Sequence, residues 1–385
     1  MREKVLAAFA REFGSADATV VRRAPGRTNL IGGHVDYSGG LVLPVAINRY
    51  VWMAARRRSD TLIRLFAADL GERHEADIRA IDRNTTPRWA AYVIGVLREL
   101  EAAGVETGGC EVAFCGNVPM GSGLSSSAAL EVCAAVTFLA LAGAHLPPKE
   151  VITLCRRAEN DFVGVNCGIM DQFASYLCRK DHALLINCAT LKARQIPLNL
   201  KTHAIVLVDT RRERSLASSA YNERVAQVTQ AFSFLRRQIP RIRCLADVSV
   251  AEITARQKDM DPLFFRRALH VATEVARVRE AVGLLRKGDV DGFGQVLYRS
   301  HESLRDLYEV SCEELDFIVD FARRFDGAAG ARLTGGGFGG CILALIEKKR
   351  IPAFREALQP VYTQRFGHGA GFIEVESADG ASVQS

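Results

Sequence analysis

The chain has 385 residues, 48% apolar and 24% charged, which is enough for two hydrophobic cores and carries no bias toward disorder, collagen or a coiled coil. Fifty Lys and Arg against 44 Asp and Glu give a formal charge of +6, spread along the chain with only short clusters such as Arg56, Arg57 and Arg58. That pattern argues against nucleic-acid binding, and no uninterrupted apolar run reaches the length of a membrane span, the longest being 132–144.

The N-terminus reads Met1-Arg2-Glu3-Lys4 and then an amphipathic stretch with Val5, Leu6, Phe9 and Phe13, which lacks the apolar region of an export signal. Ten cysteines, from Cys110 to Cys341, show no C-x-x-C pair and no histidines at finger spacing, so neither a zinc site nor a disulfide framework is expected. Together these features predict a cytoplasmic protein without nucleic-acid or membrane partners.

Strand-like and helix-like runs alternate, which predicts a mixed α and β architecture. Near the start, Pro25-Gly26-Arg27-Thr28-Asn29-Leu30-Ile31-Gly32-Gly33-His34-Val35-Asp36-Tyr37 places an Arg, a His and an Asp among glycines. Such a segment suits polar recognition of a sugar, and a solvated loop would have similar composition. Residues 40–55, rich in Val, Leu and Ile, read as strands, and 89–102 as a helix with Tyr92, Val96 and Leu97 on one face.

Residues 111–114 read as a strand entering Gly116-Asn117-Val118-Pro119-Met120-Gly121-Ser122-Gly123-Leu124-Ser125-Ser126-Ser127-Ala128, and the pattern turns helical from Ser125 through Leu141. Glycines allow close backbone approach, and the unpaired N–H groups of a helix's first turn form an anion site. This loop predicts phosphate binding; three serines that merely cap the helix are the alternative. No Gly-Lys-Ser/Thr follows, so it is not a Walker loop, and protein-kinase signatures are missing.

A helix is expected over 149–162, carrying Glu159, after which Asp171 follows the apolar pair Ile169 and Met170 in what should be a buried turn. Residues 183–188 read as a strand, and the polar stretch 192–201 as a domain boundary. The second half opens with a strand at 204–208, turns helical from 220 to 236 and on to 325, and ends in the glycine cluster 335–340 and a strand at 341–346. That cluster forms a second tight loop or a flexible turn.

These segments together resemble the galactokinases, members of the superfamily that also holds homoserine, mevalonate and phosphomevalonate kinases. The resemblance covers almost the whole chain, continuing through Trp89-Ala90-Ala91-Tyr92, Ser215-Leu216-Ala217-Ser218-Ser219-Ala220-Tyr221-Asn222 and Ser300-His301-Glu302-Ser303-Leu304-Arg305-Asp306. It implies an α+β fold of two domains, 1–195 and 196–385, with mixed sheets and the active site between them. It also implies ATP-dependent phosphorylation of the anomeric hydroxyl of galactose or a close relative, so the partners would be ATP and a monosaccharide.

By the same resemblance, Gly121, Ser122, Gly123, Leu124, Ser125, Ser126 and Ser127 wrap the ATP phosphates, and the 335–340 loop closes the cradle. Ser127 and Glu159 would hold Mg²⁺, a pairing of hard oxygen donors that suits the ion. Asp171 would orient the sugar hydroxyl and accept its proton late, as a loose phosphoryl-transfer transition state requires, with Arg27 stabilising charge on the transferring group. Gly33, His34, Val35, Asp36, Asp171 and Tyr221 would bind the sugar.

Departures from the family concern the sugar. Gly33 stands where the family normally has Glu or Asp, a carboxylate associated with the hydroxyl on carbon 6. Asp209-Thr210-Arg211-Arg212-Glu213-Arg214 replaces an Asn-Ser start and a Val-Lys or Val-Arg pair, and Ala220 replaces an acidic or small residue. Galacturonate or L-arabinose therefore enter as alternative substrates. A non-catalytic sugar and ATP sensor is the alternative of another class, disfavoured by the retained pair Ser127-Ala128.

Overall fold

The structure, a computed structural model, describes every residue except 15, 16, 19, 120, 213–216, 384 and 385, together with all side chains of the remaining residues save 217–219 and 383. Met120 of the phosphate loop and Glu213, Arg214, Ser215 and Leu216 of the two motif segments lie outside the described residues.

The first half builds a mixed sheet. Helix α1 (Arg2–Phe13) precedes β1 (Val20–Ile31), β2 (Leu41–Arg57), β3 (Leu62–Ala67) and β4 (Glu72–Asp77), and α2 (Arg88–Ala102) leads into β5 (Cys110–Gly116). Helices α3 (Ser126–Ala142), α4 (Pro148–Arg157) and α5 (Met170–Leu177) then precede β6 (His182–Asn187) and β7 (Lys192–Pro197). The strand order is β4-β3-β5-β2-β6-β7 with β1 also paired to β2; β3 and β5 run parallel and the other pairs antiparallel.

The apolar helix α3, buried along most of its length, packs with α2 and α5 on one face of this sheet. Val5, Ala8 and Phe9 of α1 cover part of the other, against Ala54, Phe66 and Ala113.

The second half contributes β8 (His203–Asp209), then α6 (Ala217–Gln238), α7 (Val250–Thr254), α8 (Pro262–Lys287), α9 (Val290–Asp306) and α10 (Glu313–Arg324). Next come β9 (Ala328–Thr334), β10 (Cys341–Glu347), α11 (Ile351–Phe366) and β11 (Gly371–Val375), and the antiparallel sheet has the order β11-β8-β10-β9. Helices α9 and α10 pack on it. One core runs through both halves, and 376–380 return to the first, where Ala46 and Cys178 carbonyls accept from Ala378 and Gly380 N–H.

Three segments differ from their sequence reading, and others had none. The sugar motif begins inside β1, because a register shift between Pro25 and Arg27 absorbs a proline that a regular ladder would reject. The polar stretch at 192–201 contains edge strand β7, whose exposed Lys192 and Arg194 and half-buried Gln195 hid the pattern and which buries only Ile196. The helix expected to reach 162 ends at Arg157, and 158–163 form a wider π-type turn carrying Glu159. Elements β3, β4, β9, α11 and β11 were not anticipated; α11 contains Pro352 and Pro360, yet buries Phe354, Leu358 and Tyr362.

Candidate active site

A cleft of about 750 Å³ opens between the two halves, lined by the end of β1 and the loop after it, the loop before α3, the segment 159–171, Tyr221 and Gly335 to Gly337. The four motif segments, scattered over more than 300 residues of sequence, meet here.

The loop between β5 and α3 is anchored at its base by reciprocal bonds between Tyr50 and Asn117. Gly121 and Gly123 take φ values of 75° and 78°, and Ser125 takes 58°, all left-handed. The hydroxyl of Ser125, at the N-cap of α3, makes no cap bond, so the first-turn N–H groups of a 17-residue helix remain open to an anion. From the other half, Gly335 abuts Gly123 so closely that a Cβ there would stand 3.0 Å from the Gly123 carbonyl oxygen. Ser122 is buried and turns away, its hydroxyl donating to Asp209 at 2.7 Å, so its side chain is a tie between halves outside the cleft lining.

Asp171 stands in the first turn of α5 and forms a fork with Arg27: Nε to Oδ1 at 2.7 Å and Nη2 to Oδ2 at 2.6 Å. Arg27 Nη1 donates to the Gly123 carbonyl at 2.7 Å, and the Ser125 hydroxyl donates to Asp171 Oδ2 at 2.5 Å. Both members of the pair are thus held by the phosphate loop. Arg27 is buried while Asp171 keeps a quarter of its side chain exposed at the cleft.

Asp36 opens a short turn and its carboxylate lies against Gly168, where an added Cβ would collide with Oδ2. Burial, then the negative charge of Asp171, pushes the Asp36 carboxyl up to about 6. His34, at φ 57°, uses both ring nitrogens: Nε2 lies 3.1 Å from the Gly336 carbonyl and Nδ1 2.8 Å from the Tyr37 hydroxyl. A carbonyl only accepts, so the proton sits on Nε2 and Nδ1 accepts from Tyr37, whose oxygen then accepts from Tyr308 at 2.8 Å. Burial holds the ring down to about 3, hence neutral, and what it offers a ligand is its surface.

Tyr221 completes this wall, with ring centroids 5.6 Å from His34 and 5.7 Å from Tyr37. Val35 is fully buried in the core and does not reach the cleft; it shapes the loop from behind.

Gly33 lines the cleft, and its backbone is gripped from the second half. Glu274 Oε1 accepts from the Gly32 and Gly33 N–H groups, and His270 Nε2 donates to the Gly33 carbonyl at 3.0 Å. Burial opposes ionisation of Glu274, but Arg277 and Arg332 override it and hold the carboxyl down to about 2. A Cβ on Gly33 would stand 2.6 Å from Arg332 Nη2; Arg332 is fully buried, and its Nε and Nη2 have no hydrogen-bond partner among the described residues.

Glu159 is buried beside Ser127, and it accepts from Gln172 Nε2 at 2.8 Å and from the Cys167 thiol at 3.1 Å. The second Gln172 amide hydrogen goes to Glu131 of α3 at 3.0 Å. Burial raises both carboxyls. A buried carboxylate facing a hydroxyl beside a phosphate loop fits Mg²⁺, with nucleotide oxygens and water filling the remaining positions.

Sequence reasoning missed Gly168, Gln172, Glu131, His270, Glu274 and Arg332. Glu131 had left a signal, a lone acid within an apolar helix; the others act through contacts that spacing does not reveal.

Comparison with known proteins gives a consistent picture. Family models match residues 7–57 (galactokinase galactose-binding signature), 91–179 (GHMP kinases N terminal domain) and 281–363 (GHMP kinases C terminal). A galactokinase of Roseiflexus sp. is 42% identical over 374 residues, covering 97% of this chain and 94% of the relative. A Thermotoga neapolitana galactokinase is 40% identical over 359 residues, 93% and 98% of the two chains. The crystal structure of Lactococcus lactis galactokinase complexed with galactose superposes with a TM-score of 0.92 at 36% identity, covering 98% of each chain. Methanococcus jannaschii mevalonate kinase, at 19% identity and a TM-score of 0.68 over 94% and 98% of the chains, shares the fold.

Proposed function

The chain belongs to the galactokinase family of the GHMP kinases, and from that premise we propose that it transfers the γ-phosphoryl group of ATP to the anomeric hydroxyl of galactose. The observation that carries this reading is the Arg27–Asp171 fork, held by the phosphate loop and facing the Asp36 and Tyr221 wall across one cleft.

The phosphates lie against the open N–H groups of α3 and the backbones of Gly121, Gly123 and Gly335 to Gly337, which carry no side chain. This leaves the arm of the cleft bounded by Arg88, Phe162 and Val163 to the base and ribose. Ser127 and Glu159 would hold Mg²⁺, which would supply neutralising charge to the phosphate oxygens.

Asp171 accepts the hydrogen bond of the anomeric hydroxyl and orients its oxygen toward the γ-phosphorus, and Arg27, buried and fixed by three bonds, stabilises charge on the group in transit. Little deprotonation is needed early, so a carboxylate already bonded to an arginine suffices as acceptor. Asp36 accepts from ring hydroxyls, and the faces of Tyr221 and His34 give the sugar's apolar surface a partner.

Two sheets, the first ending at Pro197 and the second beginning at His203, support a division into two domains, with the boundary between 197 and 203 and not at 195/196, which falls inside β7. No helix among the described residues is long and apolar enough to cross a membrane, and the unpatterned cysteines support a cytoplasmic setting.

Gly33 keeps one question of substrate in play. With no side chain at that position, the hydroxyl on carbon 6 lacks a carboxylate partner there, so D-fucose, L-arabinose and galacturonate are the sugars to compare with galactose. A coupled ADP-release assay across these four, with Mg²⁺ and ATP, tests both levels. Turnover with galactose supports the kinase reading, no turnover with any sugar defeats it, and a preference for galactose over D-fucose of more than about 100-fold would mean that another residue supplies the carbon 6 contact.

A further inference from the structure

Ser125 occupies the N-cap of α3, where a serine ordinarily turns its hydroxyl onto the first N–H groups of the helix. Here the hydroxyl makes no such bond and instead donates to Asp171 Oδ2 at 2.5 Å. The backbone at φ 58° is one that glycine adopts without strain, so what serine adds at this position is the hydroxyl.

Each carboxylate oxygen has two lone pairs. Oδ2 of Asp171 accepts from Arg27 Nη2 at 2.6 Å and from Ser125, which uses both; among the described residues Oδ1 accepts only from Arg27 Nε at 2.7 Å, which leaves one. The carboxylate is 26% exposed, on the cleft that Asp171 lines.

We infer that Ser125 is a positioning residue for phosphoryl transfer, saturating Oδ2 so that the acceptor hydroxyl meets Asp171 through Oδ1 alone. The inference rests on the kinase reading above. In the transfer, the acceptor oxygen forms its bond to the γ-phosphorus while the bond from that phosphorus to the bridging oxygen breaks, its electron pair leaving on ADP. The acceptor proton passes to Oδ1. With Oδ2 also open, the sugar hydroxyl has two places to bond, and only one aims its oxygen along the line of displacement. The loop that grips the triphosphate therefore also sets the face of the acid that grips the acceptor.

The test is steady-state kinetics with galactose and MgATP on wild type, Ser125→Gly, Ser125→Ala, Asp171→Asn and the double variant Ser125→Gly/Asp171→Asn, with thermal unfolding as a check on folding. Both Ser125 variants are expected to lose about 10- to 100-fold in kcat, the scale of one misplaced reacting group, with KM for ATP within about 3-fold of wild type. In the Asp171→Asn background, Ser125→Gly should change kcat by less than about 2-fold, since a residue acting through another has nothing left to act on.

A raised KM for ATP with kcat intact would assign the hydroxyl to the nucleotide and overturn the inference. Full kcat in Ser125→Ala with a loss only in Ser125→Gly would assign the effect to backbone conformation, and additive losses in the double variant would show that Ser125 acts independently; either result overturns it. Turnover by wild type with an unaffected Ser125→Gly defeats this inference alone, whereas no turnover by wild type with any sugar defeats the kinase reading and the inference together.

Discussion

The two walls of the cleft are built on different principles. The phosphate wall is mostly local: a strand, a glycine-rich turn and a helix N-terminus, contiguous from Cys110 to Ala142, present backbone N–H groups whose geometry follows from φ values set by the residues themselves, and only Gly335 to Gly337 close it from the second half. The sugar wall is long-range: Gly32, Gly33 and His34 are held in place by Glu274, His270 and Gly336, more than 230 residues away. A local site can be read from its own sequence and damaged mainly by changes within it, whereas a long-range site can be damaged from a helix that never meets the ligand.

Asp171 belongs to both walls, and the largest effect is expected there. Asp171→Asn keeps the shape but cannot take the proton or balance Arg27, so kcat should fall by about 10² to 10⁴-fold, the usual span for a general base. A variant retaining more than about a third of wild-type kcat would remove Asp171 from the reaction.

Glu274→Ala tests whether the sugar wall depends on the second half. Removing one member of a buried ion pair costs about 3 to 5 kcal/mol, here by leaving Arg277 and Arg332 uncompensated, so the urea midpoint should fall clearly. KM for the sugar should rise more than KM for ATP. Equal changes in the two constants would show that the grip on Gly32 and Gly33 is not specific to the sugar wall.

At Gly168 the expected effect is narrower. Gly168→Ala displaces the Asp36 carboxylate, so sugar binding measured by calorimetry should weaken by roughly tenfold, about 1.4 kcal/mol, while nucleotide binding holds. Unchanged sugar affinity would mean that Asp36 does not contact the sugar.

The smallest and most continuous effect is that of pH. Asp36, raised to about 6, offers both oxygens as charge-assisted acceptors to sugar hydroxyls when ionised, and protonation turns one of them into a donor, so lowering the pH through that value should reduce kcat/KM for the sugar, by at most about tenfold per pH unit. The acid limb should vanish in Asp36→Asn along with most of the sugar affinity. A limb that persists in that variant belongs to another group.

The sequence by itself determined the phosphate loop, the helices from 89 and 126, the strands of both sheets that carry continuous apolar runs, and the identity of Arg27, Asp36, Glu159 and Asp171 as the residues to watch. These were legible because apolar periodicity, glycine density and lone charges among apolar residues are properties of neighbours in the chain. Tertiary structure decided the rest. It placed Arg27 in a strand through a register shift, took Val35 and Ser122 away from the cleft, and spent both nitrogens of His34 on internal bonds. It also put buried Arg332 against Gly33, where a side chain would otherwise stand. The tie on Ser122, the Gly336 bond of His34 and the collision at Gly33 turn on partners brought in from distant parts of the chain, and contacts between groups 87 to 302 residues apart leave no trace in local spacing.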